Sequence, residues 1–533
     1  MNLIRFCLLF SIICFIGCSN TVSGSSGEDQ FAEENSSSSK DNGKDENDGA
    51  GKSSSSKESS EDLENCVGKI GNPWDGTTAK EFACGSGTKL SPYVILNAEQ
   101  LAHLSFIVGG NDADYIGKYY KLGADILLND GKVIDQKGAL VTDSSKLHKW
   151  TPIGNSSVAF SGHFDGNGYS ISGMFINTTS SHNGLFGNAS GSVSNLTVEN
   201  SWVTGGKFTG GIVGLNIGTL ENLKNKAAVI GNEECTGGVV GKTAQKQYRY
   251  NSVLKNISNS GIVVGKKNVG GVSGCATDAT IDGLENSAII EGEIQVGGVI
   301  GGIGSSSKND IKNLKNTGDV IGQHFVGGVS GHCGASVSVY STGNATYQCN
   351  PLTSIVSNPC GIFSNASNTG LVIGKNYVGG VLGVACSGTI SNLSNVADIE
   401  GEYGTGGVVG SLAYVTSKNM YNTGNIFGRV YAGGVFSYNK EGVTSSAYST
   451  GSVDGDSLVG LMIGYNYNTT MADYYYLEQG ELEPFGENNG GGVATPKTAS
   501  EMKTEDFAEL VGEDFVYDSG LNDGYPVLSW EVE

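Results

Sequence analysis

One five-residue phrase recurs along this chain at a nearly fixed interval, and it constrains the fold more tightly than any other feature. Gly379-Gly380-Val381-Leu382-Gly383 is a clean copy, and related copies begin at Gly210, Gly237, Gly270, Gly297, Gly327, Gly406 and Gly433. Gly184-Leu185-Phe186-Gly187 extends the series backwards and Leu461-Met462-Ile463-Gly464 extends it forwards. Most steps are 27 residues, as from Gly380 to Gly407 to Gly434. The step of 52 from Gly328 to Gly380 is close to twice that interval, so Ser354-Ile355-Val356-Ser357 at its midpoint reads as a worn copy. A period of this length means stacked structural units that share one continuous core, not independent domains.

A second landmark keeps step with the first. Asn222-Leu223-Lys224-Asn225, Asn256-Ile257-Ser258-Asn259, Asn313-Leu314-Lys315-Asn316, Asn392-Leu393-Ser394-Asn395 and Asn419-Met420-Tyr421-Asn422 recur once per unit. A typical unit runs through 390–395, 397–401 and 406–410: three short apolar-alternating runs with Asn or Gly at the bends, and no helical periodicity. Asn and Gly tolerate the left-handed backbone that sharp bends need. The pattern predicts an all-β, right-handed parallel β-helix of about 11 coils, a rod of roughly 50 Å at one 4.8 Å strand spacing per coil. A β-propeller would need blades of about 40 residues or more. The second Asn of each pair is expected to stack on its copy in the next coil as an amide ladder. The glycine pair either turns the chain or leaves room for a neighbour's side chain. Extra residues enter at 243–251 and 302–310, at one corner of the coil, where solenoids commonly build their binding face.

The repeats fill 184–476. Residues 66–183 read as a small α+β N-terminal module. Pro92-Tyr93-Val94-Ile95-Leu96, Tyr119-Tyr120-Lys121-Leu122 and Ile126-Leu127-Leu128 are strands, and Asn97 caps a helix carrying Leu101, Leu104 and Val108 that ends at Gly109-Gly110. Asp165-Gly166-Asn167-Gly168 is a turn signal between two alternating strands. Residues 477–533 read as a C-terminal cap for the open end of the stack. Thr498-Ala499-Ser500-Glu501 forms a capping box, Phe507 and Leu510 give a short helix its apolar face, and Tyr525-Pro526-Val527-Leu528-Ser529-Trp530 is a last strand.

The run F-x-G-H-F-D-G-N-G-Y from Phe160, G-L-F-G at 184, the G-G-V-x-G series and Asn522-Asp523-Gly524-Tyr525-Pro526-Val527-Leu528 together resemble proteins carrying the GLUG motif, over roughly residues 90–530. Most copies here carry G-G-V-x-G in place of the eponymous G-L-x-G. The resemblance implies a bacterial surface or secreted protein of adhesin-like kind, with no activity that belongs to the repeat itself.

Residues 1–18 read as an export signal, with Arg5 followed by an apolar run over 6–16 that is too short for an ordinary membrane span. Phe15-Ile16-Gly17-Cys18 resembles a bacterial lipobox, which implies cleavage before Cys18 and lipid attachment there. Ser19 in place of Asp implies sorting to the outer membrane, on either face of it. A plain secretory signal is the simpler alternative. Residues 19–65 hold 12 acidic and 4 basic residues and almost nothing apolar, so they read as a disordered tether. The net charge of −22 excludes a basic footprint for nucleic acid and leaves membrane contact to the lipid anchor alone. Outside the signal and Cys18 the chain has eight cysteines, an even count that suggests disulfides in an exported protein. Cys66 and Cys84 bracket a short loop and are expected to pair. Cys333, Cys360 and Cys386 follow what read as three consecutive markers and make one cross-repeat bridge feasible, with connectivity open.

Chemistry is sparse. No H-E-x-x-H, C-x-x-C or H-x-x-x-H occurs, and no metal or other cofactor is expected. Gly237-Gly238-Val239-Val240-Gly241-Lys242-Thr243 is one residue short of a phosphate loop, and its glycines belong to the repeat. Asp112/Asp114 and Asp454/Asp456 are candidate carboxylate pairs for calcium or proton transfer, and solvated turns are the blander reading. Tyrosines are dense from 403 to 476. Tyr414, Tyr438, Tyr465 and Tyr467, with Tyr248, Arg249 and Tyr250 in the first long insertion, are the candidate ligand-binding residues, set against a role in core filling or structural stacking. The expected function is a monomeric, non-catalytic surface lipoprotein that binds a glycan or a surface protein. The alternative is a polysaccharide lyase or hydrolase on the same scaffold.

Overall fold

The computed structural model describes residues 66, 71–244, 252–334, 336–339, 345–349 and 360–532. The signal, Cys18, the tether, Tyr248, Arg249, Tyr250 and residues 354–357 lie outside them. The described chain is a parallel β-solenoid of about 13 turns. Strands pair in register with their copies one coil on: Asn286 with Asn316, Asn316 with Asn368, Asn368 with Asn395.

The count exceeds 11 because the N-terminal module is itself coiled. Tyr93–Ile95, Tyr119–Leu122, His163–Asp165 and Ser192–Gly205 are successive parallel rungs. The Asp165–Gly168 turn is therefore a corner of a coil, with its two strands each paired to the following strand Ser192–Gly205, at Ser192–Ser194 and Thr197–Glu199, and not to each other. The worn copy expected at 354–357 lies outside the described residues, and the described strands leave no coil for it. Gly327 pairs directly with Gly379, so the 52-residue step is one coil carrying a long insertion. Part of that insertion, Ser336–Val339 and Ala345–Gln348, is an antiparallel hairpin.

The coils run in up to four strands where three were expected, and some coils merge these into two longer ones such as Leu382–Asn395 and Ile399–Gly406. One coil runs Ser273–Ala276, Ala279–Asn286, Ile290–Glu291 and Ile294–Gly297. The glycine pair that follows is a corner between strands. Neither Gly379 nor Gly380 adopts positive φ. A Cβ at Gly380 would lie 2.1 Å from the Gly407 carbonyl oxygen and 2.4 Å from Cγ of Asn395. The pair is glycine because a neighbour's side chain and backbone fill the space.

That neighbour is the amide ladder. The Nδ2 groups of Asn225, Asn259, Asn286, Asn316, Asn368 and Asn395 each donate to Oδ1 of the next Asn at 2.8–2.9 Å, and each also donates to a backbone carbonyl two residues on. The ladder is fully buried, so an unmatched amide in it would cost about 1–3 kcal/mol. It separates a large core, with Leu223, Ile257, Leu284 and Leu314, from a narrow one, with Val269, Val296, Val326 and Val378. The first Asn of each pair forms a second, more exposed ladder, in which Asn222, Asn313, Asn392 and Asn419 sit at positive φ.

Helix α1 (Ala98–Gly109) plugs the N-terminal end. Asn97 Oδ1 accepts from the Gln100 amide at 3.0 Å, and Leu101, Leu104 and Ile107 enter the large core. The C-terminal module differs from expectation. Helices α2 (Ala499–Met502) and α3 (Glu505–Val511) form, with the Thr498 capping box, but Leu510 is exposed while Phe507, Ala508 and Val511 are buried. The expected last strand shortens to Val527–Leu528, paired antiparallel with Phe515–Val516. The first part of this module adds a last rung to the stack, Phe485–Asn489 on Ile463–Tyr467 and Thr495–Lys497 on Tyr475–Leu477, and its helices and final hairpin dock on the side. Phe507, Phe515 and Val527 pack on a column of outward tyrosines, Tyr421, Tyr448 and Tyr475. Glu531 accepts from Tyr421 at 2.9 Å and from Ser394 at 2.6 Å, and burial pushes its carboxyl above the usual range.

Candidate functional site

The site grows from the corner at the glycine pair. Two residues before the first glycine of each marker, the backbone enters the left-handed region in coil after coil: Phe208, Cys235, Asn268, Gln295, Phe325, Tyr377, Gly404, Tyr431 and Leu458. Four residues after the second glycine stand Leu215, Lys242, Cys275, Gly302, His332, Val384, Ser411, Tyr438 and Tyr465. These two columns face each other across the corner, and Phe208, Cys235, Gln295, Phe325 and Tyr431 each meet the second-column residue of the following coil.

Towards the N terminus the meeting is tight. Lys242 lies 5.0 Å over the Phe208 ring, Cys235 and Cys275 are disulfide-bonded, and Gln295 hydrogen-bonds His332 at 3.0 Å. Burial pulls the His332 imidazole down to about 4. The middle is filled by the hairpin. Ala345 joins Phe325 and Val384, the Tyr347 hydroxyl bonds Ser411 Oγ at 2.6 Å, and Cys349 is bonded to Cys386. Cys66 is bonded to Cys84, and Cys333 to Cys360 across neighbouring coils.

Then the corner opens. Gly404 puts no side chain into a row otherwise occupied, and the space holds a cleft of about 640 Å³. Tyr347, Tyr377, Tyr403, Tyr414, Tyr431 and Tyr438 wall it, with Ala413 and Ser437 among the small residues and Lys440 beside them. The rings brace each other. Tyr377 is stacked on Phe325 at 5.4 Å and meets Tyr347 and Tyr403 edge-on at 5.3 and 5.8 Å, while Tyr403 meets Tyr431 at 5.2 Å. Tyr431 in turn meets Tyr465 at 6.0 Å, and Tyr465 is stacked on Tyr438 at 5.1 Å. Rings ordered in this way lose little further entropy when a ligand arrives.

Electrostatically the cleft is nearly neutral. Burial pushes the phenols of Tyr347, Tyr377, Tyr403 and Tyr438 above their ordinary value, so they remain hydroxyls. Burial opposes the charge on Lys440, but Tyr414, Glu441 and Tyr438 outweigh it and hold the ammonium above its usual value. Lys440 lies 3.7 Å from Glu441 and over the rings of Tyr414 and Tyr467 at 5.7 and 6.0 Å. Among the described residues the cleft lining contains no carboxylate. Such a surface can stack, accept and donate hydrogen bonds, but it offers no acid–base pair.

The structure brings Tyr414 and Tyr438 into the cleft wall and sets Tyr465 and Tyr467 directly behind it. Tyr347, Tyr377, Tyr403 and Tyr431 were not singled out from the sequence, although aligning the repeats on the glycine marker puts Tyr377 and Tyr431 in one column. The other dense tyrosines are structural: Tyr474 fills the large core, and Tyr421, Tyr448 and Tyr475 carry the C-terminal module. The carboxylate pairs are solvated turns. Asp112 caps the short turn at Asp114, and Asp456 pairs with Arg429 at 3.2 Å. Lys242 of the phosphate-loop look-alike lies on the Phe208 ring.

No family model matches the chain. Over 128 residues it is 38% identical to a protein of Evansella cellulosilytica, assigned by inference as a Gly-rich membrane protein; the match is 23% of this chain and 13% of that one. Over 206 residues it is 28% identical to the halomucin of Haloquadratum walsbyi, 38% of this chain and 2% of that protein. The chain thus spans a small fraction of the length of these relatives. A crystal structure of a protein assigned by inference as an immunoglobulin A1 protease, from Bacteroides ovatus, aligns over 84% of this chain and 95% of its own, at 18% identity and a TM-score of 0.27. Among the described residues no helix is long and apolar enough to cross a membrane.

Proposed function

We propose that the chain is a non-catalytic cell-surface lipoprotein whose β-solenoid presents the tyrosine cleft to a glycan or a surface partner. The observation that carries this reading is the cleft itself: about 640 Å³, within the range of ligand sites, walled by pre-braced neutral tyrosines and with no carboxylate among its described lining residues. A polysaccharide lyase or hydrolase would need converging acids or a base with clustered carboxylates, and the cleft lining has only Lys440. Attachment runs through lipid on Cys18, with the acidic tether lifting the rod off the outer membrane. The resemblance to GLUG-motif surface proteins supports this, and the name of the Evansella relative agrees with a membrane location.

The test is a glycan-array and pull-down screen with the full chain, run beside a reducing-sugar release assay on the same polysaccharides. Saturable binding without release is the expected result. Release of sugar from any polysaccharide would replace this reading with the enzymatic one.

A further inference from the structure

We propose that the cleft receives one neutral sugar ring at the end or branch tip of a glycan, and not a stretch of chain laid along the rod. The inference rests on the binding reading above and specifies its ligand.

Shape carries the first half. The open space spans three consecutive coils, those of Tyr377, Gly404 and Tyr431, or about 10 Å at one strand spacing per coil. Its N-terminal side is shut by Tyr347, which the Cys349–Cys386 bond and the contact with Ser411 hold in place. Its C-terminal side is shut where Tyr431 crosses the corner to Tyr438 and Tyr465. A polymer running parallel to the rod meets a ring at each end. A single ring entering from outside meets none.

Chemistry carries the second half. A pyranose has an apolar C–H face and a polar rim, and the wall alternates ring faces with phenolic hydroxyls that burial keeps protonated. Among the described lining residues the one charge is the Lys440 ammonium, which disfavours a cationic guest. That ammonium already faces Glu441, and the chain carries −22 overall, so an acidic sugar gains little.

Gly404 supplies the control. It sits at φ +73°, and its neighbours in the same column, Tyr377 and Tyr431, hold that conformation with full side chains at φ 55° and 57°. Gly404→Tyr therefore keeps the backbone and fills the cleft. A Cβ there meets only the movable side chains of Tyr377 and Ser437, at 3.2 and 3.3 Å. Tyr438→Ala is the second variant, which removes a wall should the first fail to fold.

The full chain is probed with neutral hexose oligosaccharides in matched sets, the same residue being terminal in one, capped or internal in the other, with methyl hexopyranosides as competitors. The expected result is binding that follows the terminal residue, falls about tenfold or more on capping, and is competed by a methyl hexoside. Gly404→Tyr and Tyr438→Ala should each lose it. Binding that needs several internal residues and ignores capping overturns the inference while leaving the surface-binding function intact, as does preference for an acidic terminal sugar. Absence of all glycan binding overturns the inference, and if partner capture is absent as well the proposed function falls with it.

Discussion

The same corner is built twice in this molecule, packed shut along one half of the rod and open along the other. From Phe208 to His332 the facing columns are closed by a cation over a ring, a disulfide and a buried Gln–His contact. From Tyr377 to Tyr465 four of the same backbone positions carry tyrosines, Tyr377, Tyr431, Tyr438 and Tyr465, and Gly404 between them carries no side chain. The ladders beneath run unbroken from the packed half under the cleft as far as Gly407 and Asn422, beyond which Ser449 takes the place of the Asn. A solenoid of this kind can therefore turn structural mortar into a recognition surface by changing two columns of side chains, at no cost to the stack that holds them.

The largest expected effect breaks the packed half. Replacing Cys235 and Cys275 together by Ala should cost about 4 kcal/mol in denaturant unfolding, given the 40 residues between them, and leave cleft binding unchanged. If binding fell in step, the two halves would not be independent.

Acid should separate them next. The His332 pKa is lowered when folded, so its stabilising share is complete above its usual 6.5 and drains as pH falls towards about 4. About 3 kcal/mol should disappear over that window in the wild type, and His332→Gln should flatten the difference, read as the change in unfolding midpoint between the two proteins. Ligand binding at the tyrosine cleft should stay level over the same window, because its phenols remain neutral there.

Filling the open half tests the converse. Gly404→Tyr should weaken ligand by about tenfold or more, roughly 1.4 kcal/mol, with little change in melting temperature. The smallest effect expected is that of Tyr438→Phe. The ring stays and a hydroxyl goes, so affinity measured by calorimetry should fall by about 0.5–1.5 kcal/mol.

The sequence made the stack readable because its period is enforced by contact. From Gly211 to Gly407 each second glycine is demanded by an Asn of its own coil, as Gly380 is by Asn395, so the two residues mark those coils together. Where contact did not enforce the pattern, arithmetic misled. The 52-residue step is nearly twice the period, yet it is one coil plus a hairpin strapped by Cys349 and Cys386, and pairing of Gly327 with Gly379 leaves no room for another rung. The strand before the glycine pair was hidden because it bends within itself at bulky residues such as Phe325, Tyr377 and Tyr431, which hold positive φ where Gly or Asn is the expected signal. The cleft was half legible. Tyr414 and Tyr438 stood out by density, but Tyr347 reaches the site only through the insertion, and Gly404 matters by what it lacks. The side docking of the C-terminal helices and hairpin was unreadable, since Tyr421 and Tyr448 look like any other tyrosines until a partner surface is known.

The most direct measurement is backbone hydrogen–deuterium exchange on the full chain, with and without a saturating neutral glycan from the array. Slowed exchange should appear in peptides covering residues 376–440 and be absent from those covering 208–303. Protection centred on the packed half, or spread evenly along the rod, would contradict the assignment of the open corner as the site.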